Sequence, residues 1–517
     1  MIETLESRRL FSGGPHPGND MLSASDVSAI LAQAASQAHP GQAIAITDRD
    51  GHVLGVFAMT GATQDTIDKA VTRARTGGLF ESTQQTFSTR TARFIIQDHF
   101  PPAIRNTPGG PLYGVQFSDL PGSDILSADQ VPAVSGDPGG LGLYKNKTPV
   151  GGIGVAGDGH DVAARVELKT SPDQPVYNGK EEKDFDESVA LAGQKHFAPP
   201  SAITSNHIFL GGLRLPYVAS KRAHGQPAQT LAQLETAGAG TVAEPIVDAP
   251  PSPYPIATFD GVPGQLKNPF APDFGLLESN DPEPDHLTIA DVTQIITDAV
   301  KQAKKTRSAI RLPTGVRAVV HISVVDRDGD LLGAFRMNSD GTNFSYDVSV
   351  QKARTAAFYS DDDHAFTTRA IGYMSQRFFP VGIDHSIAGP MFHVQDEIST
   401  QLDPSKPLPN GETIFPGGDP LYKDGHLVGG VGISGDGVDQ DDLIAYAGTR
   451  GFRPADGIRS DQLSHAEIRA WIVSRMQVLK DNFVFSFDPV EQADTRLSEG
   501  LKDFRIPYVK FPRNPNI

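Results

Sequence analysis

Two glycine-rich stretches have a spacing that could do chemistry. Gly430-x-Gly432-x-x-Gly435 and Gly152-x-Gly154-x-x-Gly157 both match the glycine pattern of a dinucleotide site. That chemistry needs a helix opening within the glycines, so that its N-terminus faces a pyrophosphate. Here the glycines fall inside the second strand of a hairpin, and Gly-Asp-Gly continues each stretch as a loop. A nicotinamide site is rejected on that context. A P-loop is excluded because no Gly-Lys-Ser/Thr follows. Arginines recur in both halves: Arg75 and Arg90, then Arg354 and Arg369, with Thr76 and Thr355 beside the first of each pair. Guanidinium groups could hold a ligand carboxylate or pair with acids on their own helix face. Asp436, Asp439, Asp441 and Asp442 could bind a hard cation or complement a helix N-terminus. Asp48-Arg49-Asp50-Gly51 and Asp326-Arg327-Asp328-Gly329 share Asp-x-Asp-Gly with calcium loops. They lack the further oxygen ligands and read as hairpin turns. No Ser-His-Asp order, H-E-x-x-H or G-x-S-x-G stands in a suitable context, so nothing reads as an activated nucleophile.

The elements that must position these residues occur twice. Gly417–Gly437 repeats Gly139–Gly159 without a gap, with Asp424-Gly425 as a type I′ turn signal. Strand side chains alternate, so Val428, Gly430, Gly432 and Ser434 share one face, as do Val150, Gly152, Gly154 and Ala156. A face so bare marks close approach by a helix or by a flat ligand, and both readings stay open. Ser23 and Asp26 start an amphipathic helix, and Thr288 and Asp291 start its twin. Ala74-Arg75-Thr76, Thr89-Arg90 and Gly110-Pro111 recur as Ala353-Arg354-Thr355, Thr368-Arg369 and Gly389-Pro390. Asp186–Gly193 and Asp441–Gly448 read as closing helices. The spacing predicts a disordered leader at 1–20, one domain at 21–223, a Pro-rich extended linker at 224–286 and a second domain at 287–517. The two domains are expected to share one fold and to pack as a pseudo-twofold pair.

Bulk composition narrows the partners. The chain has 517 residues, a net charge of −17 and no cysteine. The charge argues against nucleic acid and anionic membranes. The missing cysteines remove disulfides, zinc–thiolate sites, iron–sulfur clusters and covalent haem attachment. No apolar run is long enough to span a membrane.

The hairpin stretch resembles the signature of the GlcG/HbpS family, also called DUF336. Gly417, Gly418, Pro420, Gly430, Gly432, Ser434 and Gly435 carry the match. The first copy departs at Gly142 and Ala156, where proline and serine belong. The resemblance implies two profilin-like α/β/α domains, each an antiparallel sheet flanked by helices, in a tandem pseudo-dimer. It also implies haem or another small planar ligand, and a non-catalytic, haem- or redox-sensing accessory role. Gly152, Gly154, Gly430 and Gly432 would then face the ring. Arg75, Arg90, Arg354 and Arg369, with Thr76 and Thr355, would hold its propionates. No histidine is kept between the copies, and His385 in IDHSIAGP is the first choice of axial ligand. The rival readings are an interaction module without cofactor and an enzyme or carrier for a small acid or corrinoid. Leu5–Gly13, LESRRLFSG, resembles a leader motif of planctomycete surface proteins and implies export. A homo-oligomer is a further expectation.

Overall fold

The computed structural model describes residues 21–95, 135–159, 183–210, 212–283, 285–379, 386–500 and 505–510. The leader motif, His385, His99, His160 and most of the 162–183 insertion lie outside the described residues.

The first repeat runs α1 (Ala24–Ala35), β1 (Ala43–Thr47), β2 (Val53–Met59), α2 (Gln64–Leu79), α3 (Thr89–Ile95), β3 (Gly140–Lys145), β4 (Thr148–Ala156), α4 (Phe185–Gly193) and the short strands β5 (Phe209–Leu210) and β6 (Leu213–Arg214). The connecting segment holds α5 (Leu231–Thr236), β7 (Gly240–Glu244), β8 (Ile256–Phe259) and β9 (Val262–Leu266). The second repeat runs α6 (Ile289–Ala303), β10 (His321–Asp326), β11 (Leu331–Met337), α7 (Phe344–Phe358), α8 (Thr368–Met374), α9 (Val394–Ile398), β12 (Gly418–Lys423), β13 (His426–Ser434), α10 (Val438–Gly448), α11 (His465–Asn482) and α12 (Pro489–Gly500). Among the described residues these form two large antiparallel sheets, β3-β4-β1-β2-β7 and β12-β13-β10-β11-β9-β8, and a two-stranded one, β5-β6. The fold is the expected one: a helix-flanked antiparallel sheet in each of two regions.

Local chemistry sets these elements. Ser23 and Thr288 form full capping boxes with Asp26 and Asp291. Asp424 and Gly425 take positive φ of 52° and 94°, as the tight turn requires. Ile153 and Val155 join the α1 core, and Val431 and Ile433 join the α6 core. Their alternating neighbours face α2 and α7. A Cβ on Gly154 would lie 2.0 Å from Ala70 O, and one on Gly432 would lie 1.9 Å from Ser349 O. The bare strand faces therefore receive a helix backbone.

Two expectations are corrected. The 224–286 segment is not only an extended linker, because β7 pairs with β2 and the β8–β9 hairpin pairs with β11. Each large sheet gains a cover on an otherwise open edge. These strands have no repeated partner in the sequence, and β7 is exposed along four of its five residues, so no periodicity announced them. Nor do the repeats pair through a twofold. Phe80 stacks on Phe344 at 4.6 Å, in a cluster where Phe87 and Phe94 meet Val348, Ile414 and Phe415. The second-repeat equivalents Tyr359, Phe366 and Tyr373 instead pack against α11 and α12. The insertion at 459–499 thus fills, on repeat two, the surface that repeat one uses to dock. The contact is heterologous, not isologous.

Candidate functional site

The residues kept in both repeats hold equivalent places, and those places serve the fold. Arg75 Nε donates to Gly51 O (2.9 Å) and Arg354 Nε to Gly329 O (2.7 Å), each tying a helix to the Asp-Arg-Asp-Gly turn. Thr76 Oγ1 accepts from Ser135 N (3.0 Å), and Thr355 Oγ1 from Thr413 N (3.1 Å). Arg90 pairs with Glu187 (2.9 Å), and Arg369 with Asp442 (3.0 Å) and Asp439 (2.9 Å). Gly152, Gly154, Gly430 and Gly432 lie under α2 and α7. The glycines of this set are thus covered by helix, and the arginines each hold a protein acceptor. The aspartate cluster is likewise matched cation by cation. Asp436 takes Arg311 (2.7 Å), Asp441 takes Lys352 (2.9 Å), and Arg369 takes the other two. Asp158, Asp184 and Asp186 also gather, at the start of α4, where Arg73 pairs with Asp186 (2.8 Å).

An open cleft lies elsewhere, in the segment after α8. Ser375, Met391, Phe392, His393, Gln395, Asp396 and Ile414 line it, around a cavity of about 10 Å³. Gly389 sets the path of this segment, since a Cβ there would lie 1.9 Å from Met374 O. From α12, Gln492 Nε2 donates to Phe392 O (2.9 Å) and Arg496 Nη1 to Gly389 O (2.6 Å). His393 precedes α9 in the left-handed region at φ 70°, with its side chain 41% exposed. Its Nδ1 lies 3.3 Å from the buried Asp396 carboxylate. That leaves Nε2 as the ring nitrogen not turned to this carboxylate. Gln395 is 4% exposed, and neither end of its amide has a partner in the protein. Arg377 stands 5.9 Å from the Phe392 ring.

A family model described as haem degrading protein HbpS-like matches residues 22–166 and 287–450, together more than half of the chain. The chain belongs to the HbpS-like family. It is 31% identical over 153 residues to an uncharacterised 15.0 kDa protein of Citrobacter freundii encoded between dhaT and dhaS, a match over 29% of this chain and 89% of that one. It is also similar to the crystal structure of Klebsiella pneumoniae protein ORFY, at 25% identity and TM-score 0.24, over 34% of this chain and 95% of that one. A PduOC:haem complex is similar at 24% identity and TM-score 0.24, over 33% of this chain and 97% of that one.

The cleft of this HbpS-like chain can be tested against haem by its donors. A ligating imidazole ordinarily has a carboxylate behind its other nitrogen, and His393 has Asp396 there. Met391, Phe392 and Ile414 supply apolar wall, and Arg377 supplies a cation. The donor set fits. The space enclosed in the cleft is only about 10 Å³, room for about one water, far below the roughly 300–1,000 Å³ of ordinary ligand pockets, so the cleft alone does not enclose a macrocycle. No histidine recurs between the copies, so recurrence does not separate His393 from His385, and the proline-containing loop pointed to His385. The signal that could have found His393 is the His-x-x-Asp spacing, which puts the two side chains within reach across one turn.

A buried acid stands two residues before Ile414 in this wall. Glu412 Oε2 meets Tyr359 OH at 3.0 Å, Oε1 has no partner, and burial pushes the carboxyl up to about 8. Between its ordinary value near 4.5 and about 8 the folded chain therefore holds a proton that the unfolded chain has lost. This group's contribution is complete below the lower value and is lost as pH rises through the window. Glu412→Gln should remove that loss. Urea unfolding at pH 5 and pH 8 should show the variant gaining on the parent by on the order of a few kcal/mol across the interval.

Proposed function

We propose that this HbpS-like protein binds haem as a non-catalytic accessory, with His393 as the axial ligand in the second repeat. The observation that carries the reading is the His393–Asp396 pair, set in the apolar wall of an open cleft in a chain of this family. When bound, haem would supply a chromophoric, redox-active iron. The protein's own residues would hold the imidazole tautomer through Asp396 and place Arg377 near a propionate. His385, a few residues earlier, is the alternative imidazole. The organisation proposed is two repeats at 21–223 and 287–517, and export is proposed from the leader motif. No helix among the described residues is long and apolar enough to cross a membrane.

The test is a haem titration of the parent, His393→Ala, Asp396→Asn, His385→Ala and His99→Ala. The parent should develop a Soret band at stoichiometric haem, and His393→Ala should lose it. Asp396→Asn should weaken affinity about 10–100-fold, because it keeps the ligand but loosens its orientation. An unchanged spectrum and affinity in His393→Ala would remove it as ligand; loss only in His385→Ala would transfer the role there. Bleaching of the band under reductant and dioxygen would replace binding by degradation, the activity for which the family is named.

A further inference from the structure

His321 and Arg336 face each other across β10 and β11, where the first repeat has Ala43 opposite Ala58. The second repeat has exchanged two methyl groups for two ionisable side chains and buried both. His321 is 1% exposed and Arg336 4%. Arg336 Nε donates to Gly341 O (2.8 Å) and Nη1 to Gln265 Oε1 (3.2 Å), both neutral acceptors. Its Nη2 has no partner, and neither ring nitrogen of His321 has one. Both side chains meet at Gly341, where a Cβ would lie 3.3 Å from His321 Nε2 and 3.5 Å from Arg336 Cγ.

The nearby carboxylates are already taken. Asp50, from the turn of the first repeat, pairs with Lys267 (3.1 Å) and accepts from Asn343 (2.6 Å). Asp340 and Asp436 pair with Arg311 (3.1 and 2.7 Å). Lys267 Nζ lies 4.8 Å from the Tyr346 ring, which is 6.0 Å from the His321 ring. Four cations of this seam, Arg49, Lys267, Arg311 and Arg336, thus stand against three carboxylates, Asp50, Asp340 and Asp436, beside the His321 imidazole. Burial lowers Lys267 to about 8 and, with Arg49 beside it, Arg336 to about 9. A buried charge without a partner is costly, and a bound counter-ion offsets that cost.

We propose that His321 and Arg336, with Lys267 beside them, bind a small monoanion at the seam between the repeats. The single charge follows from the surplus of one cation. The small size follows from Gly341 and Tyr346, which stand against His321. Chloride and a formate-sized carboxylate share the required chemistry.

The experiment uses the full chain, melted in sodium gluconate while chloride or formate replaces the gluconate at constant ionic strength. A ligand of the folded state alone raises its melting temperature by mass action. The parent should gain a few degrees, saturably, in the anion that binds; the two series separately tell chloride from formate. The double variant His321→Ala/Arg336→Ala, which restores the pair found in the first repeat, should melt at one temperature in all three salts. Should the double variant not fold, His321→Ala alone carries the same comparison and should weaken the response at least severalfold. The proposal is overturned if the parent melts identically in the three salts, which leaves only water at these nitrogens. It is equally overturned if the variants keep the parent's full response, which places the anion elsewhere.

Discussion

Gly432→Val should cost this protein most of its stability, with or without haem. A Cβ at that position lies 1.9 Å from Ser349 O and 2.7 Å from Ala353 N, both backbone atoms of α7. Neither atom can swing aside as a side-chain tip could, so the whole helix must lift from the sheet. Overpacking in a close-packed core ordinarily costs about 1–3 kcal/mol, and a clash with helix backbone lies at or beyond the top of that range. Val431→Ala is the comparison, because Val431 points to the opposite face, into the core under α6. It removes two methyl groups and leaves a small cavity, at about 2 kcal/mol. Gly457→Val is the control, since a Cβ there meets nothing within 4 Å and its φ is ordinary. It should stay within about 0.5 kcal/mol of the parent. Thermal melts of the three variants, apo and with haem, decide the matter. The expected order is Gly432→Val far below Val431→Ala, with Gly457→Val at the parent value. A Gly432→Val protein that melts normally but no longer takes up haem would return the glycine face to the ligand.

Much of the fold was legible because the chain states it twice. The capping boxes at Ser23 and Thr288, the turn at Asp424-Gly425 and the alternating glycines each follow from local chemistry, and the second copy confirms the first. The site was less legible for the same reason. Recurrence selects residues that both domains need, and those hold the fold: Arg75 and Arg354 bind a turn carbonyl, Arg90 and Arg369 bind a helix carboxylate. The features that could take a ligand occur once. His393 with Asp396 follows a stretch of the chain whose alternation is neither helical nor strand-like, and His321 with Arg336 replaces two alanines. The edge strands β7 to β9 were hidden by proline content and by lack of a repeated partner. The heterologous docking was hidden because it depends on which surface the α11–α12 insertion covers, a long-range fact that no window of sequence contains.

Lys352→Met should destabilise the protein by about 3–5 kcal/mol at neutral pH, the usual cost of removing one partner of a buried ion pair. Lys352 Nζ donates to Asp441 Oδ2 (2.9 Å) and to Ile433 O (2.7 Å), so it joins α7, α10 and β13 at one point. The first repeat builds the same brace with Arg73, which donates to Asp186 (2.8 Å) and Val155 O (2.7 Å). Both members of the second pair are nearly inaccessible, at 2% and 6% side-chain exposure, so solvent does little to screen the loss. Methionine fills the space of the lysine stem but leaves Asp441 without its cation. Burial already raises that carboxyl, and removing Lys352 raises it further. The sign follows: the variant's penalty is largest where Asp441 must be ionised and shrinks as pH falls and the carboxyl takes up a proton. Urea unfolding at pH 5 and pH 7.5 should therefore show a smaller gap between variant and parent at the lower pH. Lys352→Arg, which copies the first repeat, should keep most of the parent's stability if the brace is electrostatic and shared between the copies. Lys352→Met/Asp441→Leu should recover much of what Lys352→Met loses, because it removes the stranded charge. A Lys352→Met penalty that is the same at both pH values, with no recovery in the double variant, would assign the lysine a packing role and take the charge out of the explanation.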